Sequence, residues 1–187
     1  MPSHSEVTVK EFLKLCDWLL QSWQMRKYLF DENADLELLQ APRHAHFFYR
    51  IQETFQESWL HQLAKLHDPA IQGSNINLSI EYIIEFGSWD NEFKNKLSSI
   101  KTNMDGLSEP VRTARNKILS HNDLKIILGN NGPLGKFNTG EDKTYFTALI
   151  EFCNLVSQQV LNEPFVYDDL VRNDVSGFMS QFKRGQT

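Results

Sequence analysis

Apolar side chains recur at steps of three and four along most of the chain, and this period predicts helices rather than strands. Phe12, Leu13, Cys16, Leu19, Leu20, Trp23 and Leu29 form one such stripe behind a Thr8/Glu11 capping box, which predicts a first helix over about 9–31. A short helix over 36–40 can follow. Between His44 and Leu66 there is no Gly or Pro, and Phe47, Phe48, Ile51, Phe55, Trp59, Leu63 and Leu66 mark a third, long helix. Pro69, Gly73, Ser74 and Asn75 read as a loop, with Asn77 placed to cap a helix over 78–86. A further helix is expected over about 90–103, broken by Asp105 and Gly106. Ser108 would then cap the next helix, with Pro110 in its first turn and an end near His121.

Four glycines, a proline and three asparagines between Gly129 and Gly140 mark the clearest loop, and Leu124 to Leu128 is the one β-rich run. A last long helix is expected over 141–161. Beyond about 164 the pattern weakens, with a short helix over 174–182. The expectation is an all-α fold, an antiparallel helical bundle of long helices, forming a single domain over 1–187 with a weakly structured C-terminal tail.

Composition narrows the class. The 187 residues are 41% hydrophobic, enough for a sizeable core, and the 13 Phe, 5 Tyr and 4 Trp lie mainly on helical stripes, where they read as core before they read as base-stacking surfaces. Two cysteines, Cys16 and Cys153, sit among apolar neighbours and read as buried thiols rather than a disulfide framework. With no apolar run near the roughly 20 residues that span a bilayer and no signal-peptide pattern at the start, the expectation is a cytoplasmic protein without membrane contact.

Charge sharpens this. The net charge is −5, which argues against general coating of nucleic acid. Yet Lys94 to Lys125 holds seven cations against three acids, a local +4. Such a segment suits a focused anion site.

That segment contains Arg115-Asn116-Lys117-Ile118-Leu119-Ser120-His121. An arginine can grip two phosphate oxygens through its planar fork, and a histidine titrating near neutrality can take and return a proton. On a regular helix, residues six apart lie about 120° around the axis from one another. Arg115 and His121 therefore meet only on a fraying last turn or across a two-fold dimer.

Three stretches in order extend the pattern: Ala45-His46-Phe47-Phe48; Leu63-Ala64-Lys65-Leu66-His67-Asp68-Pro69 with Asn77-Leu78-Ser79-Ile80 after it; and Val111 through Asp123. Together they resemble the abortive-infection U-type branch of the HEPN superfamily, all-helical proteins many of which are metal-independent ribonucleases. Ser120 stands where many members have Ala. The resemblance implies a dimer through the motif helices, and a toxin or phage-defence endoribonuclease in which Arg115, His121 and Asn116 are catalytic. Arg112, Lys117 and Asp123 are the expected substrate-binding residues, with Asp123 also able to hold the imidazole. RNA is the implied substrate, a second copy and an antitoxin protein the implied partners, and no cofactor is expected. The alternative is a non-catalytic HEPN-like interaction or nucleotide-binding module.

Other clusters carry less. His44, His46, His61, His67 and Asp68 lack metal-ligand spacing, so no metal site is expected. Asp68 before Pro69 reads as a helix-end residue. The loop from Gly129 lacks the ending of a phosphate loop.

Overall fold

The computed structural model describes residues 5–115, 137–167 and 169–185. The fold class is all-α, as expected. The helices are α1 (Glu6–Arg26), α2 (Leu36–Leu39), α3 (Ala45–Leu66), α4 (Ile80–Phe86), α5 (Asn91–Ala114), α6 (Glu141–Leu161) and α7 (Leu170–Arg184). One π-helical turn, Lys27–Asp31, follows α1. The short strands β1 (Ile71–Gln72) and β2 (Asn75–Ile76) pair antiparallel around Gly73, whose φ of 63° suits glycine. The chain groups into two compact units, 1–17 with 60–166 and 18–59 with 167–187.

In the first unit α5 packs chiefly along α6 and also meets α4. Leu97, Met104, Ser108, Val111 and Ala114 form its buried face, against a core that includes Ile80, Ile83, Tyr145, Leu149 and Phe152. That stripe keeps its helical period straight through Gly106 and Pro110. The expected break at Asp105 and Gly106 therefore does not occur, and 108–114 is the end of α5 rather than a new helix. Interior Gly and Pro cost about 1 and 3 kcal/mol in helix propensity, which packing along one continuous face offsets. Ser108 does not cap a helix but returns its hydroxyl to the Asp105 carbonyl at 3.3 Å.

Cap positions also shift from expectation. Ser5, not Thr8, opens α1, its hydroxyl accepting the Thr8 amide at 3.2 Å. Ser79 rather than Asn77 caps α4, while Asn77 ties the hairpin by donating its side-chain amide to the Pro69 carbonyl at 2.8 Å. Asp90 caps α5 through the Phe93 amide at 2.8 Å, and α6 spans the expected 141–161. Cys16 and Cys153 are free and buried, and burial together with the Cys153 thiol alongside pushes the Cys16 thiol well up.

The second unit is built on Leu29, Phe30, Leu39, Phe48 and Met179, flanked by Ile51, Phe55, Val175 and Phe182. The rings of Phe48 and Phe182 meet edge-on at 5.4 Å. Helix α7 extends the expected 174–182 segment at both ends, because Val171, Val175, Met179 and Phe182 make one apolar stripe. The Tyr28 hydroxyl donates to Asp169 at 2.8 Å just before α7, and Lys183 pairs with Asp35 at 2.8 Å near its end.

Candidate functional site

The end of α3 carries two polar residues that reach α5 at different heights. His67 and Asp68 sit in a tight turn, their amides donating to the Ala64 and Lys65 carbonyls at 3.1 Å each, and Pro69 restricts the backbone of Asp68 before it. Ten residues separate their α5 partners, Asp105 and Arg115, a rise of about 15 Å along a helix.

His67 has no exposed side-chain surface. Its Nδ1 lies 2.7 Å from Asp105 Oδ1 and its Nε2 2.8 Å from the Tyr145 hydroxyl. A carboxylate only accepts, so Nδ1 carries the proton and donates. In a neutral ring Nε2 then accepts from Tyr145. Burial lowers the His67 pKa, and this outweighs the raising effect of Asp105. Burial likewise raises the Tyr145 hydroxyl well above its usual range, which keeps it a donor. Asp105 gathers further cations, Lys101 at 2.5 Å and Arg112 at 3.6 Å. Burial alone would raise its pKa, but the hydrogen bonds from His67 and Lys101 prevail and bring it down to about 2.

Arg115 caps the C-terminus of α5, its amide donating to the Arg112 and Val111 carbonyls. Its Nη2 donates to Asp68 Oδ1 at 2.6 Å, with side-chain exposures of 23% for Arg115 and 19% for Asp68. The guanidinium has five N–H donors. Its Nε is buried and has no hydrogen-bond partner among the described residues.

Of the residues expected to form the site, the structure places Arg115 against Asp68 and Arg112, more exposed, beside Asp105. Asn116, Lys117, His121 and Asp123 lie outside the described residues. Asp68 is the helix-end residue expected, and in addition it is the partner of Arg115. His67, Asp105 and Tyr145 were not expected together. The signal for Asp68 was present in the His67-Asp68-Pro69 run, since an acid at a helix end can take a cation brought from elsewhere, but pairing it with Arg115 requires knowing that α3 ends beside α5. Two of the four histidines considered as metal ligands are otherwise occupied: His67 as above, and His44 with its Nε2 against the Leu38 carbonyl. Among the described residues no group of three or more His, Cys, Asp or Glu side chains could hold a metal ion. No described helix is long and apolar enough to cross a membrane.

No curated protein and no solved structure matches the chain. The family model HEPN_AbiU2, described as AbiU2, matches residues 5–178, which takes in most of both compact units and the stretches that carry the resemblance. The chain belongs to the AbiU2 family of HEPN proteins.

Proposed function

We propose that the protein is a metal-independent endoribonuclease acting as a toxin or phage-defence component. The observation that carries this reading is the Arg115–Asp68 pair. It holds Arg115, the arginine of the HEPN-like motif, at the end of α5 through one Nη, with 23% of its side chain open to solvent, where a guanidinium can meet a phosphate. Arg112, one turn before Arg115, is 39% exposed and lies 3.6 Å from Asp105, so part of its charge stays open to solvent. The family match across both units supports one HEPN-like domain.

In this mechanism the RNA 2′-oxygen forms a bond to the adjacent phosphorus as the bond from phosphorus to the 5′-oxygen breaks. His121 takes the 2′-hydroxyl proton or delivers one to the leaving 5′-oxygen. Arg115 stabilises charge gathering on the non-bridging oxygens, and Asn116 orients the phosphate or the imidazole. Arg112, Lys117 and Asp123 hold the flanking strand and the ring. The products are a 2′,3′-cyclic phosphate and a 5′-hydroxyl. A two-fold dimer with the end of α5 near its interface lets each copy complete the other's set, and an antitoxin protein would restrain it.

The test is incubation of the full chain with a panel of RNAs in chelator, with analysis of the ends produced. Cyclic phosphate ends that disappear in His121→Ala support the reading. Cleavage by His121→Ala at the wild-type rate, or by neither protein, defeats it. Light scattering at micromolar concentration should give a dimer; a strict monomer removes the composite site.

One observation favours a second reading, a non-catalytic interaction module: Asp68 already offsets part of the Arg115 charge in a chain of net charge −5. This reading predicts partner or nucleotide binding without strand breaks.

A further inference from the structure

We infer that Asp68 is a positioning residue for the reaction, acting through Arg115 rather than on the RNA. The inference rests on reading Arg115 as the group that stabilises the phosphoryl charge. Three features of the structure carry it.

First, the contact is a charge-assisted hydrogen bond of 2.6 Å between a carboxylate and one Nη of the guanidinium. It restrains the fork while occupying one donor. An arginine at a helix end otherwise samples many rotamers, and each phosphate encounter must then select the productive one.

Second, the carboxylate is held by its surroundings. His67, one residue earlier, is sealed between Asp105 and Tyr145, and Pro69, one residue later, has its carbonyl engaged by the Asn77 side chain at 2.8 Å. Asp68 therefore presents its oxygen from a point anchored on both sides.

Third, the pair is only partly shielded, with about a fifth of each side chain open to solvent. Arg115 can thus meet a second anion without leaving the first. With Nε buried, the four Nη N–H groups are the ones to be shared, a carboxylate on one and a phosphate on others.

Asp68→Asn keeps the shape and removes the charge. It should lower kcat for RNA cleavage by about 10- to 100-fold, the penalty of a misplaced catalytic group, with a smaller change in KM. Asp68→Glu should restore part of that loss. The double variant Asp68→Asn/Arg115→Ala should be no slower than Arg115→Ala alone, because Asp68 has nothing left to position. A carboxylate that only supported the fold would give losses that follow the thermal midpoint and no recovery with Glu.

Additive losses in the double variant, or wild-type kcat in Asp68→Asn, overturn the inference. If Asp68→Asn does not fold, the comparison of Asp68→Glu with Arg115→Ala carries the same test. If the wild type cleaves no RNA, the ribonuclease reading fails separately. The positioning of Arg115 is then read by nuclear magnetic resonance of its side-chain N–H groups: slowed guanidinium rotation in wild type that is lost in Asp68→Asn supports it, and identical spectra refute it.

Discussion

His67 is sealed between Asp105 and Tyr145 with no exposed side chain, whereas Asp68, the next residue, is 19% exposed and holds the tip of Arg115. Both reach α5 from the same turn. The first contact is a network in which a neutral imidazole donates once and accepts once, so each ring nitrogen is satisfied. Such a network resists exchange with solvent because any opening leaves buried polar atoms without partners. The second is an ion pair at the edge of the protein, where water or a phosphate can compete for the guanidinium. The difference teaches that adjacent polar residues can divide the work, one fixing the helix and the other leaving its partner able to act.

Breaking the sealed contact should have the largest effect on stability. His67→Ala leaves Asp105 with fewer donors, strands the Tyr145 hydroxyl and opens a cavity, at a cost of about 3 kcal/mol. Chemical denaturation should show the midpoint falling with an unchanged slope. A loss below about 1 kcal/mol would mean that the network does not brace α5.

Tyr145→Phe is a finer cut. Removing the hydroxyl leaves His67 Nε2 an unpaired acceptor and should cost about 1–2 kcal/mol. A stability equal to wild type would imply that Nε2 finds another donor.

Acid should weaken the same network in two steps. The His67 pKa is lowered on folding, so the unfolded chain takes up a proton first, and stability falls as pH drops below about 6.5. The Asp105 pKa is also lowered, from 3.8 to about 2, so its contribution is present above 3.8 and lost as pH falls toward 2. Tyr145, raised, acts in the opposite sense: its contribution is lost only as pH rises beyond 10. Denaturation midpoints against pH should therefore form a plateau above neutrality that declines on the acid side, and His67→Gln should flatten the first step. A wild-type profile flat from pH 7 to 5 would contradict the lowered His67 pKa.

The smallest effect on stability belongs to the Arg115–Asp68 pair, which is partly open to solvent. Asp68→Asn should cost about 1 kcal/mol or less, as for partly solvated ion pairs, and the loss should shrink in salt. A penalty as large as that of His67→Ala would erase the distinction between the two contacts.

Much of the fold was legible because apolar spacing encodes helices directly. The α3 stripe and the 141–161 helix emerge from the sequence alone. Asp105, Gly106 and Pro110 misled because local propensity favours a break there, while the buried period from Leu97 to Ala114 carries the helix through. The C-terminal helix is longer than expected because Val171, Val175, Met179 and Phe182 anchor it along one stripe, which its more numerous polar residues hide from a local reading. At the site, chemistry and spacing picked out Arg115 as a candidate, and the structure adds its partner Asp68. Asp68 was visible only as a helix-end acid, and the His67–Asp105–Tyr145 network was not visible at all. Those contacts span 38 to 78 residues, and no local pattern encodes them.

The central claim is that Arg115 serves chemistry while the His67 network serves the fold. Its most direct test is the RNA cleavage rate per folded molecule for Arg115→Ala beside Tyr145→Phe, each with its denaturation midpoint. The account predicts that Arg115→Ala keeps most of its stability and loses about 100- to 10,000-fold in rate, while Tyr145→Phe loses stability and cleaves at the wild-type rate. Cleavage by Arg115→Ala at the wild-type rate would contradict it.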